Sequence, residues 1–326
     1  VTEPTVSVAL CTRNGARFVE EQLRDILTQE HAIHELVVSD DGSTDDTVGI
    51  IERVFAEVAL EDTRLVVLRN PEPLGVTANF EQAVRACHGD LIALADQDDR
   101  WRPDRISAAV AEFRDRPNLL LTHSDAALVD AAGAPMGAGL FAALEIAGED
   151  IARIHAGGAF DVLLRRNLAT GATVTFRSCL LEVALPFPPD WVHDEWLAVV
   201  AAALGEVEVL EQPLIDYRQH GSNEIGAVRL TPMQKVRKVL ASSPDRNAVI
   251  AGRFAELALR LAEAGVPADR IAAVRRKVEH EQARAAMPAP RWRRIPRIVG
   301  ELASGRYARY SSRRRWDAVR DLLRPS

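Results

Sequence analysis

Four times in its first hundred residues the chain passes from a short apolar, β-branched run into a polar loop and on toward a helix-spaced stretch. TVSVALCT (5–12) precedes NGARFVEEQLRDILTQ, where Phe18, Leu23, Ile26 and Leu27 recur at roughly helical spacing. Leu36 to Ser39 precedes a DDGSTDD turn and a helix that Ser43 or Thr44 is placed to cap. RLVVLRN leads to VTANFEQAVRAC, and DLIALA leads through DQDD to PDRISAAVAEFRDRP, a helix expected to stop before Pro117. This alternation predicts an α/β fold, a Rossmann-like, mostly parallel sheet flanked by helices. Ligands bind such sheets beyond the carboxyl ends of the strands. Those ends carry Thr12-Arg13-Asn14-Gly15, Asp40-Asp41-Gly42-Ser43, Asn70 and Asp96-Gln97-Asp98-Asp99.

Further on, LLLTHSDAALVD reads as a strand and turn, AAGAPMGAG as a flexible loop, and residues 167–226 as strand-like pieces interrupted by HDEW and YRQHGSN. SSPDRNAVIAGRFAELALRLAEAGVP predicts an amphipathic helix. Ser243 stands as its N-cap, Pro244 in its first turn, Ile250, Phe254, Leu257 and Leu261 on one face, and Gly265 as its stop. The last third is expected to be helical. With 326 residues, 47% of them hydrophobic, the chain has material for one large domain or two smaller ones. Three scattered cysteines (Cys11, Cys87, Cys179) form no CxxC pair, which argues against a disulfide framework and a structural zinc site and fits a cytoplasmic setting. The longest apolar run, LAVVAAALG, is far short of the roughly 20 residues a spanning helix needs, and no signal-peptide pattern opens the sequence.

Three carboxylates within four residues repel one another, so Asp96, Asp98 and Asp99 imply either a solvated loop capping the helix from Pro103 or a seat for a hard divalent cation. HDEW offers His193, Asp194 and Glu195 as acid or base candidates, although an aspartate before LAVVAAAL also suits a helix N-terminus. Trp101, Trp191 and Trp196 suit either a core or a sugar-stacking platform. Gly171 suits either a close backbone approach to a sugar or a plain turn.

In order and spacing, SVALCTRNGARFVEEQL, VVSDDGSTDDT, LGVTANFEQAV and LIALADQDDRW resemble the GT-A domain of glycosyltransferase family 2, in particular its bacterial rhamnosyltransferase-like branch. The resemblance continues through NLATGATVTF, WVHDEWLAVVA and PLIDYRQHGSN and covers roughly residues 5–225. It implies an inverting, metal-dependent transferase moving a hexose or deoxyhexose from a nucleoside diphosphate sugar, dTDP- or UDP-linked, to a hydroxyl acceptor that is a saccharide or a lipid-linked saccharide. Asp96-Gln97-Asp98 would be the D-x-D motif, with Asp98 on Mg²⁺ or Mn²⁺ and Asp96 at the ribose or the metal shell. His220 would complete the metal site, and Thr12, Arg13, Asn14, Asp40, Asp41, Gly75, Asn79 and Gln97 would serve the nucleotide sugar. Asp194 would be the base. Trp101, Gly171, His193, Glu195, Trp196 and Arg218 would lie toward donor sugar or acceptor, and Asp99 would either orient the loop or face the acceptor.

The resemblance implies a catalytic domain over 1–228, its nucleotide-sugar part about 1–100 and its acceptor part about 101–228, followed by a helical region over 229–326. A sugar-phosphate nucleotidyltransferase would want a Gly-rich loop with Arg and Lys after the first strand, where CTRNGARF has one glycine and no lysine. A non-catalytic nucleotide-binding scaffold would keep the acidic loops but would not need HDEW. A dinucleotide dehydrogenase would need a GxGxxG that is missing after the first strand.

Charge separates the tail from the rest. Residues 288–326 hold eleven arginines against Glu301, Asp317 and Asp321, a local balance of +8 within a chain whose formal net charge is −7. Interleaved with Trp292, Ile295, Ile298, Tyr307, Tyr310 and Trp316, these cations favour peripheral contact with an inner-membrane face over nucleic acid or a merely solvated helix.

Overall fold

The computed structural model describes residues 3–220 and 245–324. The chain forms two compact units, Val1–Ala159 with Leu168–Ala227, and Phe160–Asn167 with Val228–Ser326.

In the first unit the β-branched runs form strands because parallel strands covered on both faces can bury every side chain. β1 (Val6–Thr12), β2 (Glu35–Asp40) and β4 (Leu91–Asp96) are almost wholly buried, and β3 (Arg64–Arg69) flanks them. Order β3-β2-β1-β4 is parallel throughout. Its register sets Thr12 against Asp40 and Cys11 against Asp96, so the polar loops leave one edge at one level. Helices α1 (Val19–Leu27), α2 (Thr47–Val58), α3 (Val76–Arg85) and α4 (Arg105–Arg114) make the crossovers.

Beyond β4 the sheet becomes mixed. β8 (Thr175–Arg177) lies antiparallel between β4 and β6 (Leu119–Asp130), and β9 (Glu206–Gln219) runs parallel to β6. The two-residue β5 (Arg100–Trp101) caps the edge against β9, carrying the acidic loop back onto the sheet. The short helices α5 (Leu140–Ala143), α6 (Gly148–Arg153) and α8 (Leu181–Ala184) lie between these strands in the chain, and α9 (His193–Leu204) is apolar nearly all round and almost entirely buried. The expected Rossmann-like, mostly parallel mixed sheet flanked by helices is present.

Several local expectations differ. AAGAPMGAG is not a loop throughout: Pro135–Gly139 forms β7, an edge strand on β6, where backbone pairing prevails over a glycine- and alanine-rich composition. Phe18 precedes α1 instead of joining its apolar face. Ser43 and Thr44 do not cap α2; Ser43 Oγ donates to Asp40 Oδ1 (2.5 Å) and the Thr44 N–H to Asn14 Oδ1 (2.8 Å).

The second unit is helical: α7 residues from Phe160 onward (α7 is Ala159–Arg165), then α10 (Arg246–Glu263), α11 (Ala268–Ala285), α12 (Arg291–Ala303), α13 (Arg306–Tyr310) and α14 (Trp316–Leu323). Phe254, Leu257 and Leu261 are buried on α10 as expected, and the helix stops before Gly265 at φ +69°. The expected cap Ser243 and Pro244 lie outside the described residues. An ionic cluster fills much of the interior: Arg284 donates to Asp321 (2.6 Å) and Glu281 (2.9 Å), Tyr307 Oη to Asp321 (2.7 Å), and His280 bonds Glu301 (2.5 Å). Buried charges persist only when paired in this way. Among the described residues, no helix is long and apolar enough to cross a membrane.

Candidate active site

The strand-end loops of the first unit wall a cleft of about 570 Å³. Thr12, Arg13, Asn14, Asp41, Asn79, Asp96, Gln97, Asp98, Gly171, His193, Asp194 and His220 line it, so most of the expected site residues share one cavity. Arg17, Phe80 and Tyr217 line it without having been singled out beforehand, and so does Phe18, which was expected only on a helix face. Asp40, Gly75, Asp99, Trp101, Glu195, Trp196 and Arg218 are not among its lining residues.

The aspartates after β2 act largely through loop backbone. Asp40 accepts bonds from Thr12 Oγ1 (2.8 Å) and from the Ser43 N–H (2.9 Å) and hydroxyl. Asp41 accepts from the amides of Leu74 (2.6 Å) and Gly75 (3.0 Å), which pins the turn before α3; Gly75, at φ +84°, supplies the left-handed conformation there. Asn79 donates to the Ser39 carbonyl (2.9 Å) and accepts from Ser39 Oγ (2.7 Å), tying α3 to β2. Gln97 joins the first and fourth loops: its Oε1 accepts the Arg13 N–H (2.8 Å) and its Nε2 donates to the Arg13 carbonyl (3.0 Å). A Cβ at Gly15 would overlap that amide, which explains the lone glycine of CTRNGARF.

The three crowded acids have three environments, and none is a helix cap; α4 starts at Arg105, after Asp104. Asp96 and Asp98 face the cleft. Asp98 Oδ2 lies 2.7 Å from His220 Nε2, and the His220 ring stacks on Phe18 with centroids 4.9 Å apart. Asp99 is buried and accepts the Arg218 N–H (3.0 Å); burial pushes its carboxyl well up, and Asp98 and Asp96 add to that. The Arg218 side chain is buried too, donating to the Asp98 carbonyl (2.8 Å) and to Glu21 (2.8 Å). Asp99, expected either to orient its loop or to face the acceptor, and Arg218, expected at the sugar, both support the loop that carries Asp98, and neither lines the cleft.

Sequence reading missed Arg105. Its guanidinium sits 3.4 Å from the Trp101 ring centroid and donates to the carbonyls of Leu94 (3.1 Å) and Ala172 (2.7 Å), joining β4 to the segment that carries Gly171. Burial lowers it to about 9, against the pull of Asp99 and Asp96, so it stays a cation at neutral pH. Trp101, Trp191 and Trp196 are core residues and not sugar platforms; Trp196 Nε1 donates to the Ala184 carbonyl (2.7 Å).

Asp194 is the second residue of α9, so it does not take the N-cap place, which Val192 holds without a side-chain bond. Its Oδ2 accepts the Gly171 N–H (2.9 Å) and its Oδ1 the Glu195 N–H (2.5 Å). Burial raises its carboxyl to about 7, outweighing those two donors. A group titrating there at the wall of a cleft is matched to general-base work. His193 is stacked on Phe80 with centroids 4.0 Å apart, and burial drops it to about 3, so it stays neutral. Burial, then Asp96, raises the Cys11 thiol, which removes it as a thiolate nucleophile.

Gly171 has a packing reason: a Cβ there would stand 2.8 Å from His193 Nε2 and 3.7 Å from the Asp194 Cβ. Gly171→Ala is therefore expected to push the His193 ring out of its place against Phe80 and to lower the melting temperature. Thermal unfolding checks this; an unchanged melting temperature would mean that the ring yields without cost.

Among the described residues, no three His, Cys, Asp or Glu side chains form a metal cage. Asp98 and His220, with Asp96 in the same cleft, nevertheless form a mixed oxygen and nitrogen set that suits Mg²⁺ or Mn²⁺ sharing its remaining positions with phosphate oxygens and water.

Residues 7–130 match the family model for glycosyl transferase family 2. An uncharacterised glycosyltransferase of Nostoc is 26% identical over 240 residues, covering 71% of this chain and 70% of that protein. Several other curated relatives are matched over half of their length or less. Among solved structures, the mannosyltransferase PcManGT of Pyrobaculum calidifontis, in complex with GDP-Man and Mn²⁺, superposes with a TM-score of 0.54 at 19% identity, covering 99% of this chain and 86% of that one. Residues 1–349 of TarS from S. aureus, in complex with UDP-GlcNAc, give 0.55 at 15% identity, with coverages of 98% and 90%. At these identities the structures attest the fold, which is GT-A. The family match and the glycosyltransferase relatives, for their part, support a glycosyltransferase of family 2 whose domain lies at residues 7–130.

Proposed function

We propose that the cleft transfers a hexosyl or deoxyhexosyl group, with inversion, from a dTDP- or UDP-linked sugar to an acceptor hydroxyl on a saccharide or lipid-linked saccharide of the cell surface. Rhamnose is the first donor sugar to test. The observation that carries this reading is the cleft itself: one cavity holds the Asp98 and His220 pair and a carboxyl whose pKa burial brings to about 7.

The nucleoside would lie against Thr12, Arg13, Asn14 and Asp41, in loops held by Asp40, Gly75, Asn79 and Gln97. Asp98 and His220, with Asp96, would hold Mg²⁺ or Mn²⁺, which when bound offsets the negative charge of the departing diphosphate. The acceptor oxygen forms its bond to the anomeric carbon as the bond to the diphosphate breaks, and the hydroxyl proton passes to Asp194. Neutral His193 carries no imidazolium proton at pH 7 and shapes the wall beside the base.

Because only ionised Asp194 accepts a proton, kcat/KM should fall by about tenfold per pH unit below roughly 7 and level off above it. A pH profile that stays flat from 5 to 8 under saturating Mn²⁺ would remove Asp194 from this role. The function is tested by titrating UDP, dTDP and GDP sugars into the protein by calorimetry, with Mn²⁺ and with EDTA. Metal-dependent binding of a dTDP or UDP sugar is expected. Binding of no nucleoside diphosphate sugar would refute the proposal, and pyrophosphate release from a nucleoside triphosphate plus a sugar phosphate would support a nucleotidyltransferase in its place.

A further inference from the structure

In residues 288–326 the acids are held inward or in ion pairs, while of the eleven arginines only Arg294 is buried. Asp317 and Asp321 are buried, engaged by Arg284 and the Tyr307 hydroxyl, and Glu301 is held by His280 and Arg306. Arg291, Arg293, Arg297, Arg313 and Arg315 are exposed. The surface of this segment is therefore more cationic than its composition, because its three acids are spent inside.

On that surface two helices expose apolar side chains at helical spacing. Along α12, Trp292, Ile295, Val299 and Leu302 recur three, seven and ten residues apart and are all exposed, while Arg294 and Ile298 take the buried side. Along α14, Trp316, Val319 and Leu323 repeat the three and seven spacing, while Asp317, Ala318 and Asp321 are buried. The two indoles are 68% and 76% exposed, whereas Trp101, Trp191 and Trp196 are at most 4% exposed. Seven exposed large apolar side chains on two helices exceed the singly scattered ones that a soluble surface ordinarily carries.

We propose that α12 and α14 form a docking surface for an anionic phospholipid bilayer. Trp292 and Trp316 enter the interfacial layer, the aliphatic residues of each stripe follow them, and the exposed arginines pair with lipid phosphates. Indoles at the headgroup level, flanking cations and a helix lying in the plane of the interface suit that phase. The Arg293 guanidinium already lies 4.9 Å from the Trp292 ring centroid, so cation and anchor occupy the same spot. A nucleic-acid surface would use the arginines but would have no use for exposed Val299, Leu302, Val319 and Leu323. This inference stands independently of the transferase reading, since it uses no residue of the cleft.

The full chain is tested by co-sedimentation with phosphatidylcholine vesicles, with and without about a quarter phosphatidylglycerol, and by quenching of tryptophan fluorescence with brominated acyl chains. Only Trp292 and Trp316 are exposed enough to reach the lipid, so quenching identifies the face directly. Binding is expected with the anionic vesicles only, with quenching, and weaker as salt rises. Trp292→Ser combined with Trp316→Ser should weaken it by about tenfold or more at unchanged melting temperature. No anionic-vesicle binding, binding without quenching, or equal binding by the double variant would each overturn the proposal. Binding to duplex DNA that displaces the vesicles, with unquenched indoles, would do so too and would mark a nucleic-acid surface. Should the double variant unfold, quenching of the unaltered chain still decides.

Discussion

Asp194→Asn is expected to lower kcat by about 10²–10⁴-fold, the usual worth of a positioned base, while metal-dependent donor binding stays within about twofold. The amide keeps the shape of the carboxylate and can still accept the Gly171 N–H, although the Glu195 N–H loses its acceptor, so the cleft should hold its form. The stability effect has the opposite sign to the activity effect. Folding raises this carboxyl, so between its unfolded pKa near 4 and its folded value of about 7 the native state binds more protons, and stability falls as pH rises through that window. The variant should therefore melt no lower than the unaltered protein at pH 8. A loss of transfer accompanied by a clear drop in melting temperature would point to a structural aspartate instead of a base.

Asp98→Ala is the second large effect. It removes one of the two side chains that meet at 2.7 Å, and the expected loss is two to three orders of magnitude in kcat/KM, about the several kcal/mol a divalent ion contributes to a departing diphosphate. Donor binding should lose its dependence on Mn²⁺, and His220→Ala should produce a smaller loss of the same kind. Calorimetric titration of Mn²⁺ in the presence of the nucleoside diphosphate provides the check. An Asp98→Ala protein that still binds donor more tightly with Mn²⁺ than with EDTA would move the metal to other ligands.

The parts of this site legible in sequence are those fixed by chain-local chemistry. Four apolar runs ending in polar loops were enough to place Thr12, Asp41, Asp96 and Asp98 on one edge, since parallel register does the rest. What stayed hidden depends on partners distant in sequence. Gln97 has no role until the Arg13 main chain, 84 residues away, closes on both ends of its amide. Asp99 could have oriented its loop or faced an acceptor, and only the β5 turn, which buries it against the backbone of Arg218, decides between them. Arg105 sits in an ordinary helix start, and nothing in PDRIS foretells that its guanidinium will run beneath Trp101 to the Ala172 carbonyl. The strand in AAGAPMGAG was missed because its composition disfavours a strand and only the neighbouring β6 supplies the pairing.

The exposed stripes on α12 and α14 were half legible. The arginines and aromatic residues stand out in sequence, but that Asp317 and Asp321 point inward while Trp316 points outward is a property of the packed helices. Charge counting alone would have offset the arginines with those acids.

The central claim is direct displacement at the anomeric carbon, with Asp194 taking the acceptor proton and the diphosphate leaving from the opposite face. Proton NMR of the newly formed glycoside, recorded from the one-bond C–H coupling at the anomeric carbon, tests this most directly once the preferred donor is in hand. A product of opposite anomeric configuration to the donor is the predicted result. Retained configuration would contradict the account, because it requires a second displacement or a same-face mechanism in which a single base at Asp194 has no place.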